Sequence, residues 1–298
     1  MNRLLLLLPL AGLMACESPK QEHKAYTEPP KQTDTLEVKV LPSDTIYYTL
    51  ERFSKKIADC QSDTANCASF TATFPLVEIR LHSFVADSIN YLIRSKLYSP
   101  LIGDKPANGI NSLLEPYYET YKAAREEANA NGQEYIGAWY YNRQFTVIEN
   151  TRKIFTIAHS EQSYAGGAHP NSFTNWYNFN PSTGRQITLD HIFKPGYNKK
   201  LNQLAEKKFR KRKNVPAGTS LEDAGYLFKD NIFYLPNNFR LNDKGILFRY
   251  NPYEVASYAE GAIEIQLTWA EISDVISDEF NPEKEEQPAI DRAPVARH

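Results

Sequence analysis

Residues 135–163, YIGAWYYNRQFTVIENTRKIFTIAHSEQS, hold two stretches rich in β-branched and aromatic residues, Tyr135–Ile148 and Lys153–Ser163. Between them lies the short polar link Glu149-Asn150-Thr151-Arg152. Two such runs about a short link read as a β-hairpin, which makes an antiparallel sheet the centre of the fold. Working outward, Ser172–Phe179 and Arg185–Leu189 flank Asn180-Pro181-Ser182-Thr183-Gly184, whose Pro and Gly suit a turn. Phe239–Leu241 and Ile246–Tyr250 make a further hairpin about Asn242-Asp243-Lys244-Gly245, and Ile263–Thr268 is a final strand. Upstream, Ser69–Phe74 alternates as a strand does.

The remaining segments change period. Leu81, Phe84, Val85, Ile89, Leu92, Ile93 and Leu97 recur at helical spacing and predict a helix over 81–98. Asn111–Asn129 is a second helix, ending near Asn131-Gly132, and Tyr197–Arg212 is a third with Leu201, Leu204, Ala205 and Phe209 inward. Trp269–Ile276 is a short terminal helix. Antiparallel hairpins interrupted by helices give an α+β class: antiparallel sheets with packed helices, in two adjoining subdomains.

Composition limits the functions. With 298 residues, 42% apolar and 23% charged, the chain can bury a substantial core. A balance of 34 Lys+Arg against 36 Asp+Glu leaves no basic field for nucleic acid. Met1-Asn2-Arg3 and the apolar run Leu4–Ala15 are laid out as a signal peptide, too short to span a bilayer. Ala15 before Cys16 is a lipobox pattern, so Cys16 is expected to carry the acyl chains that anchor the protein to a membrane. Glu17 in place of Asp points to the outer membrane. Residues 17–45 then read as a flexible tether and 279–298 as a disordered tail. In an oxidising compartment, Cys60 and Cys67 read as a disulfide closing a short loop, with two free thiols as the competing state.

Familiar catalytic motifs are absent: no Gly-x-Ser-x-Gly elbow, no His-Glu-x-x-His pair, no phosphate loop and no dinucleotide fingerprint. His159, His169, Asp190 and His191 would have to converge through folding to hold a metal, and nothing in their spacing requires it; no metal or cofactor is expected. Asp190 is instead read as capping the turn before Ile192-Phe193. The run Lys199–Lys213 carries eight basic residues against Glu206 alone. It reads first as the solvated face of an amphipathic helix, and alternatively as a patch for anionic polymer or lipid headgroups.

Three segments carry a family resemblance. Ser163-Tyr164-Ala165-Gly166-Gly167-Ala168-His169-Pro170 resembles a Tyr-x-Gly-Gly-Ala-His signature. Thr183-Gly184-Arg185-Gln186-Ile187-Thr188-Leu189-Asp190-His191-Ile192-Phe193 is similar to a Thr-Gly turn leading into a Leu-x-Asp-x-Phe-like stretch. Asn251-Pro252-Tyr253-Glu254-Val255-Ala256-Ser257-Tyr258-Ala259-Glu260-Gly261 resembles Pro-Tyr-Glu-x-Ala-x-Tyr-Ala-x-Gly. Together they resemble the RsiV-like C-terminal domain family (DUF3298), here 161–278, preceded over 46–160 by a region similar to DUF4163 and the non-catalytic N-terminal part of PdaC-type deacetylases. The resemblance implies an envelope-facing binding module, since the anti-sigma factor with this domain binds lysozyme through it. The deacetylase motifs Thr-Phe-Asp-Asp and His-x-x-x-His are missing.

The expected function is therefore a non-enzymatic envelope lipoprotein that binds peptidoglycan glycan or a lysozyme-like protein. Candidate binding residues are Tyr164, Gly166, Gly167, His169, Trp176, Tyr253, Glu254 and Tyr258. The alternatives are a peptidoglycan hydrolase or deacetylase using Asp190, His191, His169 and Glu254 as acid–base groups, and a scaffold of an envelope complex. Tyr253, Glu254 and Tyr258, at helical spacing, read first as packing a short helix after Pro252 onto the sheet, and alternatively as a polar-aromatic surface for a sugar or a protein. The Gly166–His169 loop is expected to pack on Tyr253–Tyr258, with Tyr164 or Tyr253 filling the space and His169 bonded to main chain. Gly166, Gly167 and Gly261 are expected to lie where the backbone passes close to other groups, and Gly167→Val to lower the melting temperature through backbone strain and clash.

Overall fold

Two apolar stripes set the first half of the fold. The computed structural model describes residues 46–56, 67–78, 83–133 and 136–284. Helix α1 (Ser83–Leu97) buries Val85, Ile89, Ile93 and Leu97, and α2 (Ile110–Ala130) buries Leu114, Tyr117 and Tyr121. Both stripes recur at three- and four-residue intervals, so each helix presents one apolar face. They share a core with Phe70, Trp139, Phe145, Phe155 and Ile157 of a five-stranded sheet. The strands run in spatial order β1 (Tyr48–Lys56), β2 (Ala68–Val77), β3 (Trp139–Asn150), β4 (Phe155–Tyr164) and β5 (Asn171–Phe179). The expected hairpin is β3–β4, paired from Tyr140 opposite Tyr164 to Asn150 opposite Phe155.

The second half is built on a three-stranded antiparallel sheet, β6 (Phe239–Asn242), β7 (Gly245–Tyr250) and β8 (Ile263–Thr268). Strand β8 alternates buried Ile263, Ile265 and Leu267 with half-buried polar residues, the pattern of a sheet covered on one face. The cover is α4 (Tyr197–Arg212), whose Leu201, Ala205 and Phe209 join Ile246, Phe248, Ile265 and Leu267 in one core. Two single-turn helices complete the unit, α3 (Leu189–Ile192) and α5 (Trp269–Ile272).

The α+β class and the two adjoining sheets are as expected, with several corrections of detail. β2 and β3 are parallel, so the first sheet is mixed. The reason is connectivity: α1 and α2 lie between these strands in the chain and carry it back across the sheet. Strand β1 had no counterpart in the sequence reading, because it is an edge strand with little buried surface and no alternation to reveal it. Arg185–Leu189 forms no strand; a single bridge joins Gln186 to Phe179, and Leu189 already opens α3. The terminal helix stops at Ile272, after which Ile276 bridges to Phe193.

β4 and β5 belong to the first sheet, which therefore runs to Phe179. Phe280 and Asn281 are buried, so ordered chain runs past 278. Cys67 is buried at the start of β2. Cys16, Cys60, the signal peptide, the tether and residues 285–298 lie outside the described residues.

The seam between the sheets is made by asparagine side chains. Asn238 Oδ1 accepts from Trp176 N at 2.9 Å, and Asn238 Nδ2 donates to Thr174 O at 2.7 Å. Asn251 Oδ1 accepts from Thr174 N at 2.8 Å, and Asn178 Nδ2 donates to Phe239 O at 2.8 Å. The Asn238 and Asn251 carboxamides satisfy the outer edge of β5 where a sixth strand would otherwise pair, and Asn178 reaches back from β5 to a β6 carbonyl.

Candidate functional site

The loop between β4 and β5 contains Gly166 (φ +85) and Gly167 (φ +99), conformations that L side chains rarely adopt. Tyr164 Oη donates to the Gly167 carbonyl at 3.0 Å, so Tyr164 is the residue that fills this loop. A Cβ at Gly166 would touch the Trp139 ring at 3.5 Å, whereas one at Gly167 or Gly261 would meet nothing within 4 Å. The expected clash at Gly167 and the close approach at Gly261 are therefore absent. Substitution at these two positions is opposed by backbone conformation alone.

The loop does meet Tyr253–Tyr258. Tyr253 Oη and His169 Nε2 share a hydrogen bond of 2.9 Å, and His169 Nδ1 lies 3.1 Å from the Pro170 carbonyl. The imidazole stacks on Tyr258, with ring centres 3.7 Å apart and planes within 12°. Tyr253 and Tyr258 are 5.6 Å apart, which closes a patch of three rings. Tyr253 is 55% exposed, yet its backbone is held at φ +70. No helix follows Pro252; the chain makes a turn and then a single 3-10 turn at Tyr258–Glu260. The positive φ at Tyr253 breaks the helical path that the spacing suggested.

What holds Tyr253 in that conformation is Asn251. Its amide N donates to Glu254 Oε2 at 3.0 Å and its side chain to Glu254 Oε1 at 3.3 Å, while the same carboxamide grips β5. Glu254 thus braces the turn, and Tyr253 is the residue presented outward. Trp176, the other candidate, is 9% exposed, and the Arg240 guanidinium covers its ring at 5.3 Å. It contributes nothing to the patch.

The acid–base candidates are otherwise engaged. Asp190 Oδ1 accepts from Tyr197 Oη at 2.9 Å. Burial first, and this carboxylate second, push the Tyr197 phenol up to about 12. Thr188, not Asp190, is the N-cap of α3, and His191 Nδ1 accepts from Thr188 N at 3.0 Å. Among the described residues, no group of three His, Cys, Asp or Glu side chains is placed to hold a metal ion.

A second polar cluster, invisible in sequence, underlies the first sheet. Arg143 on β3 and Glu161 on β4 stand opposite each other, 3% and 7% exposed, and form a buried ion pair through Nε and Oε2. The guanidinium also donates through Nη1 to the carbonyls of Leu97 at 2.7 Å and Ser99 at 2.8 Å, which ends α1 on a cation. Beside it His159 stacks on Phe145 at 4.3 Å, and neither of its ring nitrogens has a hydrogen-bond partner among the described residues. Burial, then the charges of Arg143 and Lys96, push its pKa down to about 3.

This two-sheet α+β chain, with a Gly-Gly loop packed on a Pro-Tyr turn, has the fold of solved DUF3298 proteins. Residues 190–270 match the family described as protein of unknown function DUF3298, and residues 61–172 match the family described as deacetylase PdaC. A DUF3298 family member from Bacteroides fragilis superposes with a TM-score of 0.65 at 22% identity, covering 80% of this chain and 96% of that one. One from Pseudomonas aeruginosa gives 0.54 at 15% identity, with 79% and 97% covered. At these identities the likeness concerns the fold alone. The peptidoglycan-N-acetylmuramic acid deacetylase PdaC of Bacillus subtilis is 24% identical over 141 residues. The alignment takes in 47% of this chain but only 30% of the relative's length.

Proposed function

We propose that this chain is a cell-envelope protein that binds peptidoglycan glycan through the His169–Tyr253–Tyr258 patch, without chemistry of its own. The observation that carries the reading is Tyr253. An exposed aromatic ring is held out by a backbone conformation that costs free energy, and a buried asparagine and a glutamate maintain it. Strain of this kind clusters at binding sites, and ring faces suit the apolar face of a sugar. The PdaC similarity supports a peptidoglycan connection. Asp190, His191 and Glu254 are each bonded to local structural partners, which favours binding over hydrolysis or deacetylation.

In this reading the protein is anchored in the outer membrane through an acylated Cys16, and Cys60 and Cys67 form a disulfide. Alkylation of the unfolded, unreduced chain then labels neither Cys60 nor Cys67, whereas labelling of both would exclude the bond.

Co-sedimentation of the full chain with insoluble peptidoglycan tests the function, with c-type lysozyme assayed in parallel. Tyr253→Ala is expected to weaken glycan binding about tenfold or more while leaving the melting temperature within a few degrees, because the removed ring is exposed. Binding to lysozyme alone would transfer the site to a protein partner. No retention on either up to roughly millimolar concentration, or release of acetate from the polymer, would overturn the reading.

A further inference from the structure

Helix α4 has a second surface that the glycan site does not use. Its core side is Leu201, Ala205 and Phe209, and its outward side carries Lys199, Lys200, Lys207 and Lys211. Lys200 pairs with Asp274, whereas Lys199, Lys207 and Lys211 have no acidic partner among the described residues. At 1.5 Å per residue these three span about 18 Å of helix. A chain of formal charge −2 thus concentrates unneutralised positive charge along one helix face.

A strained apolar segment packs against the same helix. Phe228 and Phe233 sit on Phe209 with ring centres 5.4 and 5.6 Å away, and Leu235 N donates to Asn202 Oδ1 at 2.9 Å. Their neighbours in sequence point outward: Leu227 is 63% exposed and Ile232 66%. Between them Asp230 and Asn231 both hold φ +55. Two successive non-glycine residues in this region are costly, so the segment is kept in a shape that leaves two large aliphatic side chains in water.

We propose that α4 and the 227–232 segment form a docking face for an anionic phospholipid bilayer. Charge complementarity selects an anionic surface, since each lysine near such a surface adds attraction that falls off within a Debye length. The exposed Leu227 and Ile232 select lipid over a hydrated anionic polymer, which offers no apolar phase to receive them. The face would lay the body of the protein against the membrane rather than let it hang from an anchor.

Co-sedimentation of the full chain with phosphatidylcholine vesicles, and with vesicles in which about a third of the lipid is phosphatidylglycerol, tests this. An N-terminal apolar run or acyl anchor partitions into both, so the readout is the extra binding to anionic vesicles. That increment is expected to exceed tenfold at low salt and to collapse by about 0.5 M salt. Lys199→Gln/Lys207→Gln/Lys211→Gln is expected to abolish it, and Leu227→Ser/Ile232→Ser to reduce it severalfold. Tyr253→Ala should leave it unchanged, so this face and the glycan site can fail separately. Equal binding to both vesicles, or an increment indifferent to the lysine variant, overturns the proposal. An increment insensitive to the aliphatic variant and competed fully by soluble polyphosphate assigns the face to a polymer instead. A circular-dichroism melt within a few degrees of wild type establishes that each variant is folded.

Discussion

Replacing Arg143 by methionine is expected to destabilise the fold by about 3–5 kcal/mol, a loss large enough to leave much of the chain unfolded at 37 °C. The residue does two jobs in a buried place. It neutralises Glu161, and it satisfies the carbonyls of Leu97 and Ser99 at the end of α1. Methionine fills similar volume but leaves a carboxylate without a counter-charge and two carbonyls without a donor. Urea unfolding followed by circular dichroism measures the cost. The double variant Arg143→Met/Glu161→Leu should recover a sizeable part, because it removes the stranded charge. A single variant within about 1 kcal/mol of wild type would show that the pair is not buried in solution.

Acid should find His159 next. Its native pKa is pushed down to about 3 from the ordinary 6.5, so the folded protein keeps the ring neutral where the unfolded chain takes up a proton. Above pH 6.5 both states are neutral and the residue adds no pH dependence. Below that value the unfolded state binds the extra proton, and stability falls by about 1.4 kcal/mol per pH unit until the native ring also titrates near pH 3. By about pH 4.5 the loss should reach roughly 2–3 kcal/mol. Phenylalanine keeps the stack on Phe145 and cannot titrate, so His159→Phe is expected to flatten the stability profile across this window. Chemical denaturation at a series of pH values gives the comparison. Parallel slopes for the two proteins would show that the acid sensitivity lies elsewhere.

Much of the candidate site is legible in the sequence, and the reasons differ by residue. Gly166 and Gly167 advertise themselves, because only a backbone outside the usual regions needs two glycines beside an aromatic residue. That the loop would meet Tyr253–Tyr258 follows from small residues beside aromatics in both segments, taken to adjoin strands of one antiparallel sheet; the contact is made, but between strands of two different sheets. The helix that the spacing predicts through Tyr253 does not form. Helical spacing over six residues cannot register a single positive φ, and that φ is imposed from outside by Asn251 and Glu254. Trp176 is a candidate that nothing in its sequence surroundings separates from a core residue; Arg240 and the seam cover it.

Local chemistry by itself determined the three long helices, the β3–β4 and β6–β7 hairpins and the α+β class, because a period of two or of 3.6 is written in consecutive side chains. α4 even begins and ends where the sequence places it, at Tyr197 and Arg212. What needed the tertiary structure is whatever depends on pairs distant in the chain. The parallel pairing of β2 with β3, the membership of β4 and β5 in the first sheet, and the edge strand β1 are set by which surfaces can be buried together. Arg143 beside Glu161, His159 with no hydrogen-bond partner among the described residues, and asparagines capping the edge of β5 carry no periodic signal at all. A polar residue in a strand reads as solvent-facing until the neighbour that buries it is known, and that neighbour is a property of the fold rather than of the sequence around it.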